Sequence, residues 1–283
     1  MRRIVLSALV LGLFAAGRAE AQQRPLLTED PETIGAGLVL LEAGFDHQRD
    51  IFYPVSGLTG DLLRVPTLGL SFGVSTIAEI QIDGGIYNRL TVTARDPSAP
   101  LAGMLDFTGD RTTAIEDLVI GTKIRLVPEG PGRPAVGLRF ATKLPNASNE
   151  SGLGLDTTDF YASLLVGKTV QSIRLVGNVG LGILGDPVRG DQQNDVITYG
   201  LSLARAIAQG VEVVGEVNGR LDTLADKDKI IGTETRGAIR VGGRFTRSTV
   251  RVDGGLILGM TARDPSIGFT AGFTWVFRGF TIP

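Results

Sequence analysis

The stretch that decides the fold is residues 173–183, which read IRLVGNVGLGI. Apolar residues and glycines fill the odd positions, while Arg174 and Asn178 stand between them. Residues 211–222 repeat this two-residue period, again with charged residues confined to one phase. Because successive side chains of a strand point to opposite faces, a period of two predicts β-strands rather than helices.

The same period continues from Ile34 almost to the end of the chain. Twelve segments show it: Ile34–Asp46, Val65–Val74, Ala78–Val92, Asp117–Leu126, Pro134–Leu144, Asp159–Thr169, Ile173–Ile183, Asp195–Arg205, Val211–Leu221, Thr235–Phe245, Thr249–Met260 and Ile267–Phe277. Short turns alternate with longer polar loops such as 47–64 and 93–116, as in outer-membrane barrels with short periplasmic turns and longer extracellular loops. The sequence therefore predicts an all-β, antiparallel transmembrane β-barrel of about 12 strands, each long enough to cross a bilayer when tilted.

Charged residues separate almost completely between the two phases of these segments. The apolar phase carries only Lys168 and Arg205. The opposite phase carries eight acidic and eleven basic residues: Glu42, Asp46, Glu79, Asp83, Asp117, Glu212, Glu216, Asp253, Arg89, Lys123, Arg125, Arg139, Lys143, Arg174, Arg220, Arg236, Arg240, Arg244 and Arg251. An arginine or lysine facing lipid at mid-bilayer costs about 2–4 kcal/mol, so the charged phase must face water or a polar lumen. A soluble, exported β-sandwich with its charges outward is the alternative, but the strict alternation of turn lengths favours the barrel.

The beginning of the chain has the features of a secretory signal peptide. Met1-Arg2-Arg3 is basic, residues 4–16 are apolar, and Ala19-Glu20-Ala21 matches the small-x-small cleavage pattern. This apolar run is shorter than the roughly 20 residues of a membrane-spanning helix. We therefore expect a cleaved signal peptide at 1–21, a periplasmic segment at 22–33, the barrel at 34–277 and a C-terminal tail at 278–283. The predicted location is the outer membrane.

Composition excludes several classes of site. The 283 residues include no Cys and a single His, and the net charge is −2, which gives no footprint for nucleic acid. The one histidine, His47, lies beside Asp46 and Asp50 without a recognisable nucleophile motif. Oxygen ligands suited to calcium occur in one loop at Asp186, Asp191, Asn194 and Asp195. These residues also match ordinary turn chemistry, and we expect no enzyme activity, no metal and no cofactor.

The most specific feature is a charge ladder on three consecutive predicted strands. Its members are Glu212, Glu216, Arg220, Arg236, Arg240, Arg244, Arg251 and Asp253. Antiparallel neighbours bring such side chains within cross-strand reach. Two interpretations stay open: a paired network that fills and stiffens the lumen, or a basic wall that selects a solute. Since bases outnumber acids on the charged phase, we expect an open pore to favour anions.

Several short motifs resemble the meta-pathway phenol-degradation family of outer-membrane barrels, whose members are transporter-like. They are Arg24–Asp30, Leu41–Gly44, Ile77–Gln81, Glu116-Asp117, Ile120–Arg125 and Phe140–Pro145. Asn146-Ala147 stands where the family often has a glycine after the Leu-Pro step. The resemblance implies passage of small, aromatic or amphipathic molecules, with membrane lipid and a small solute as partners. A non-transporting structural or adhesion barrel is the alternative function. Substrate, gating and oligomeric state stay open.

Overall fold

The computed structural model describes residues 24–225 and 229–281, which form fourteen strands in one sheet. The strands are β1 Leu38–Tyr53, β2 Leu58–Gly73, β3 Ala78–Gly85, β4 Asn88–Arg95, β5 Arg111–Ala114, β6 Leu118–Val127, β7 Ala135–Leu144, β8 Asp159–Val170, β9 Ile173–Gly185, β10 Gln193–Ala208, β11 Val211–Asp222, β12 Arg236–Arg247, β13 Val250–Gly259 and β14 Ile267–Arg278. The described residues include no helix long and apolar enough to span a membrane.

The sheet closes on itself because β1 pairs with both β2 and β14. From β6 to β14, each strand pairs antiparallel with the next. β3 and β4 both pair with β2 on one side. On the other side, β3 pairs with β6 and β4 pairs with β5. β3 and β4 together therefore act as one interrupted strand of the wall, and β5 and β6 act as the next. The result is a closed antiparallel barrel of 12 strands, which confirms the predicted fold class. A β-sandwich is excluded, because one closed sheet replaces two packed ones.

The two faces of the wall differ as the charge pattern predicted. On the outside, Leu181 is 60% exposed, and Trp275 is 43% exposed and packs against Phe277 with ring centroids 4.4 Å apart. On the inside, Lys123 and Glu79 are fully buried and form an ion pair of 3.1 Å. An apolar exterior around a charged interior suits a bilayer, where lipid cannot solvate charges.

The first hairpin extends further than the sequence predicted. Residues 47–64 were expected to form a loop, but β1 continues to Tyr53 and β2 begins at Leu58. A register shift between Gln48 and Ile51 hides the alternation there. The buried side chains of Leu58, Leu62 and Leu90 form an apolar cluster inside this end of the barrel. The extracellular end is therefore a folded layer with its own apolar core.

Four neighbouring strands of the wall are irregular at one level. β1 and β2 lose register between Gly44 and Asp46, and the breaks between β3 and β4 and between β5 and β6 lie beside this shift. Backbone hydrogen bonds span the breaks: Val65 N–H to Tyr87 O at 2.8 Å, Ile86 N–H to Pro66 O at 3.2 Å, and Glu116 N–H to Gly85 O at 3.0 Å. The wall therefore stays closed at this level.

These breaks displace the alternation by one residue. Asn88 and Leu90 are buried on the inner side, so Arg89 lies on the opposite face of β4 from them. The predicted continuous strand 78–92 is wrong, and so is the assignment of Arg89 to the lumen phase. The physical reason is the two-residue gap at Ile86 and Tyr87, which a strict period of two cannot represent.

Candidate functional site

Residues 24–34, here called the plug, run through the inside of the barrel. The backbone N–H groups of Leu27 and Thr28 donate to the carboxylate of Glu216 at 2.8–3.0 Å. At the other end of the plug, the Ile34 N–H donates to Glu79 at 2.8 Å. The sequence placed 22–33 in the periplasm, but the described part of that segment lies in the lumen. The predicted signal peptide, 1–21, lies outside the described residues.

The acidic residues of the plug pair with bases on one section of the wall. Glu29 lies 3.0 Å from Arg139 on β7 and 3.4 Å from Lys123 on β6. Asp30 pairs with Arg174 on β9 at 2.6 Å. Buried carboxylates are stable only when such partners replace water. The plug therefore supplies the counter-charges for this part of the wall.

The basic end of the plug reaches the opposite side of the lumen. The Arg24 guanidinium donates to Thr67 Oγ1 at 3.1 Å and to Thr270 Oγ1 at 2.9 Å. Its Nε lies 3.5 Å from Asp253 on β13. The plug thus crosses the lumen from the β6–β9 wall to the β13–β2 wall.

Sequence reasoning missed the plug, although one signal pointed to it. The lumen phase of the strands showed more bases than acids, an excess that a low-dielectric interior does not tolerate unpaired. Glu29, Asp30 and Glu32 stand together just before the first predicted strand. In the structure Glu32 pairs with Arg125, so all three supply the missing negative charge.

The charge ladder forms cross-strand pairs on the inner face of β11, β12 and β13. Glu212 stands opposite Arg244, and Glu216 opposite Arg240, in the register of β11 and β12. The corresponding ion-pair distances are 3.0 Å and 3.1 Å. Arg251 on β13 lies 3.6 Å from Glu212. Here the geometry is that of a paired network, and Glu216 is both a ladder member and a plug anchor.

The two ladder arginines nearest the long loops, Arg220 and Arg236, donate hydrogen bonds to backbone carbonyls. Arg220 donates to the carbonyls of Gly232 and Glu234 at 2.8 Å and 2.9 Å. Arg236 donates at 2.8 Å to the carbonyl of Phe52, in the first hairpin. These contacts fasten extracellular segments over the mouth of the barrel.

The other candidate residues have local roles. His47 stacks on Phe269 of the neighbouring strand, with ring centroids 5.6 Å apart. Asp186 accepts hydrogen bonds from the backbone N–H groups of Val188 and Arg189, as an ordinary turn does. Within residues 24–225 and 229–281, no group of three or more His, Asp or Glu residues is placed to hold a metal ion.

Two cavities border the plug inside the barrel. The acidic chamber, of about 290 Å³, lies between the plug and β1, β2, β3, β6 and β7. The neutral chamber, of about 180 Å³, lies against β8 to β11 and is lined by polar side chains that include Tyr161, Ser163 and Tyr199. Glu29 and Arg139 border both chambers.

No protein-family model and no curated protein sequence matches the chain. Among solved structures, the barrel is similar to the COG4313 outer membrane channel from Pseudomonas putida F1, with a TM-score of 0.61 and 13% identity over 88% of this chain and 98% of that one. The translocator domain of the autotransporter NalP from Neisseria meningitidis has a TM-score of 0.45 and 12% identity over 98% of this chain and 94% of that one. The fold is that of an outer-membrane barrel, which supports an outer-membrane location.

One expectation from the sequence is wrong. The chain was expected to have no enzyme activity, but the structures similar to this barrel include outer-membrane enzymes. One is LpxR from Salmonella typhimurium, with a TM-score of 0.45 and 12% identity over 85% of this chain and 100% of that chain. A barrel fold is compatible with channels and with enzymes, so the fold does not exclude enzyme activity.

Proposed function

We propose that this protein is an outer-membrane channel for small molecules, and that its own N-terminal segment narrows the passage. The observation that carries the proposal is the pair of polar cavities, of about 290 Å³ and 180 Å³, that border the plug inside the barrel. The described plug residues are held by ion pairs and hydrogen bonds, which can break and re-form. A non-covalent plug suits a regulated passage better than a purely structural barrel.

Solute size and character follow from the two chambers. Their volumes suit compounds no larger than a substituted benzene ring. The plug contributes Leu27 to the acidic chamber, and the wall adds Val119, so apolar surface lies next to charge. This combination fits the small aromatic or amphipathic molecules that the family resemblance implies. The similar fold of an outer membrane channel adds support.

The proposal includes export and membrane insertion. Cleavage after Ala21 would start the mature chain at Gln22, just before the plug. The mature protein is expected in the outer-membrane fraction, and on a gel it should run faster unheated than boiled. Recovery in the soluble periplasm without a heat shift would contradict this part of the proposal.

The channel is tested with the purified full-length protein in planar bilayers and liposomes. The variant E29Q/D30N/E32Q removes the three acidic charges of the plug, and we expect a several-fold higher conductance than in the unaltered protein. The control D106N/D110N/D191N removes three charges from exposed loops and should leave conductance unchanged. Heat-modified gel migration verifies folding in each case.

Two outcomes would overturn the proposal. One is the absence of current and solute influx with all three folded proteins, which would favour the alternative of a structural or adhesion barrel. The other is an equal rise in conductance from the plug variant and from the loop control, because the plug would then not narrow the passage.

A further inference from the structure

The two chambers differ most in charge. The acidic chamber is bordered by six carboxylates: Glu29, Glu42, Asp46, Asp83, Glu116 and Asp117. Three guanidinium groups border the same space, those of Arg24, Arg64 and Arg139. The lining alone therefore carries twice as many acids as bases.

The arginines of the acidic chamber do not neutralise it, because each serves more than one carboxylate. Arg64 lies 3.1 Å from Asp46 and also pairs with Glu116. Arg139 lies 3.0 Å from Glu29 and 3.5 Å from Asp83. The more distant partner, Asp83, has a side chain that is 45% exposed to the lumen.

Cations behind the lining are shared in the same way. Lys143 lies 3.2 Å from Asp117 but 2.9 Å from Asp159. Lys123 lies 3.4 Å from Glu29 but 3.1 Å from Glu79. Counting these neighbours adds acids as well as bases, so the chamber keeps an excess of negative charge.

Two buried oxygen atoms at the edge of this chamber accept no hydrogen bond. They are Oε2 of Glu116 and Oδ1 of Asn88, a residue that is only 8% exposed. Both lie at Gly85, where an added methyl group would be 2.5 Å from the Glu116 oxygen and 3.5 Å from the Asn88 oxygen. Such oxygens require a donor. The site thus has acceptors in excess, at the level where the wall is irregular.

We propose that the acidic chamber binds primary ammonium groups attached to a small apolar body. An ammonium group offers a positive charge and three N–H donors with no acceptor, which matches the charge and the unfilled oxygens. The apolar side chains of Leu27 and Val119 would cover the body of the molecule. This deepens the proposed channel function, on which it rests, by naming the class of solute. It is opposite in sign to the anion preference expected from counting charges in the sequence.

Calorimetric titration of the full-length protein in a non-ionic detergent tests the chamber directly. The probes are benzylammonium, benzyltrimethylammonium, benzyl alcohol and benzoate, which share one ring and differ in the polar group. We expect benzylammonium to bind at least tenfold more tightly than benzyl alcohol or benzoate. Benzyltrimethylammonium, which carries the charge without N–H donors, should be intermediate.

Matched variants locate the binding. D83N/E116Q removes two chamber charges and should weaken benzylammonium binding at least tenfold, while Y161F/Y199F in the neutral chamber should change it less than twofold. D83N alone supplies the measurement if the double variant does not fold, because the exposed Asp83 side chain is less needed for stability. Equal affinity for benzylammonium and benzyl alcohol, or unchanged affinity in a folded D83N variant, would overturn the proposal.

Planar-bilayer recordings separate this proposal from the channel function. Benzylammonium is expected to reduce the potassium current at concentrations near its dissociation constant, and benzoate is not. Current without benzylammonium binding would overturn the ammonium proposal alone. Binding without any current would overturn the channel function while leaving the ligand class of the chamber intact.

Discussion

The acidic and neutral chambers share one plug but differ in how closely the plug packs against the wall. On the acidic side, charged pairs such as Glu29 with Arg139 fix the plug to β6 and β7. On the neutral side, Arg174 of β9 and Glu216 of β11 also hold the plug by charge, but there the plug lies close to backbone as well: an added methyl at Gly200 would be 2.9 Å from Thr28 Oγ1. The strands around the neutral chamber shift register between Ala206 and Ala208, beside a turn, whereas those around the acidic chamber shift at the level of the chamber itself. A regular wall thus permits close packing of small residues, and an irregular wall leaves space that charges fill.

The largest difference between the two sides should appear in the variant Lys123→Met. Lys123 is fully buried and lies between Glu29 of the plug and Glu79 of β3. Removing one partner of a buried ion pair costs about 3–5 kcal/mol, since the remaining charge stays desolvated. We expect a marked fall in the temperature at which the heat-modified gel band shifts.

The matched change on the neutral side is Thr198→Val, which replaces a half-buried hydroxyl with a methyl of similar size. It should lower that temperature much less than Lys123→Met does. Equal effects of the two variants would show that the buried charge of Lys123 stabilises the plug no more than the packing on the neutral side does.

A smaller effect is expected from glycines that line the inside of the wall. A methyl group at Gly180 on β9 would be 2.4 Å from the carbonyl of Ala162, so the strands must move apart. At Gly69 on β2 the nearest atom is the Asp83 carboxylate, at 3.1 Å. Overpacking costs about 1–3 kcal/mol where neighbours cannot give way. Gly180→Ala should therefore lower the melting temperature more than Gly69→Ala, as measured by circular dichroism; the reverse order would contradict this account.

The smallest effect is expected from Arg240→Met in the ladder. Glu216, the partner of Arg240, also accepts from the N–H groups of Leu27 and Thr28 and from the Thr28 hydroxyl. A hydrogen bond to a charged group contributes about 1.5–3 kcal/mol, and the lower end applies where other donors remain. Thermal unfolding of the variants Arg240→Met and Lys123→Met, measured under the same conditions, compares their losses of stability. A larger loss in Arg240→Met would show that the ladder, rather than the plug, satisfies Glu216.

The barrel was predictable because its determinants are periodic. Leu175, Val179 and Leu181 repeat at the spacing of a strand, and the charges that alternate with such residues mark the inner face. The pairing of Glu212 with Arg244 also follows from antiparallel register. The plug has no period to reveal it, because it is held by contacts with wall residues 18 to 247 positions away, such as Glu42 and Ala271 with Arg24. The acidic chamber was hidden for a related reason: Glu116 and Asn88 stand at the ends of interrupted strands.

Arg24 has a consequence for how the barrel comes together. Its backbone and guanidinium contact Glu42 on β1, Thr67 on β2, Asp253 on β13 and Thr270 on β14. These four strands flank the seam where the last strand meets the first, so the full set of contacts exists only after the cylinder has closed. The amino-terminal end of the described chain therefore works as a latch across that seam. Its docking distinguishes a finished barrel from one that is still open.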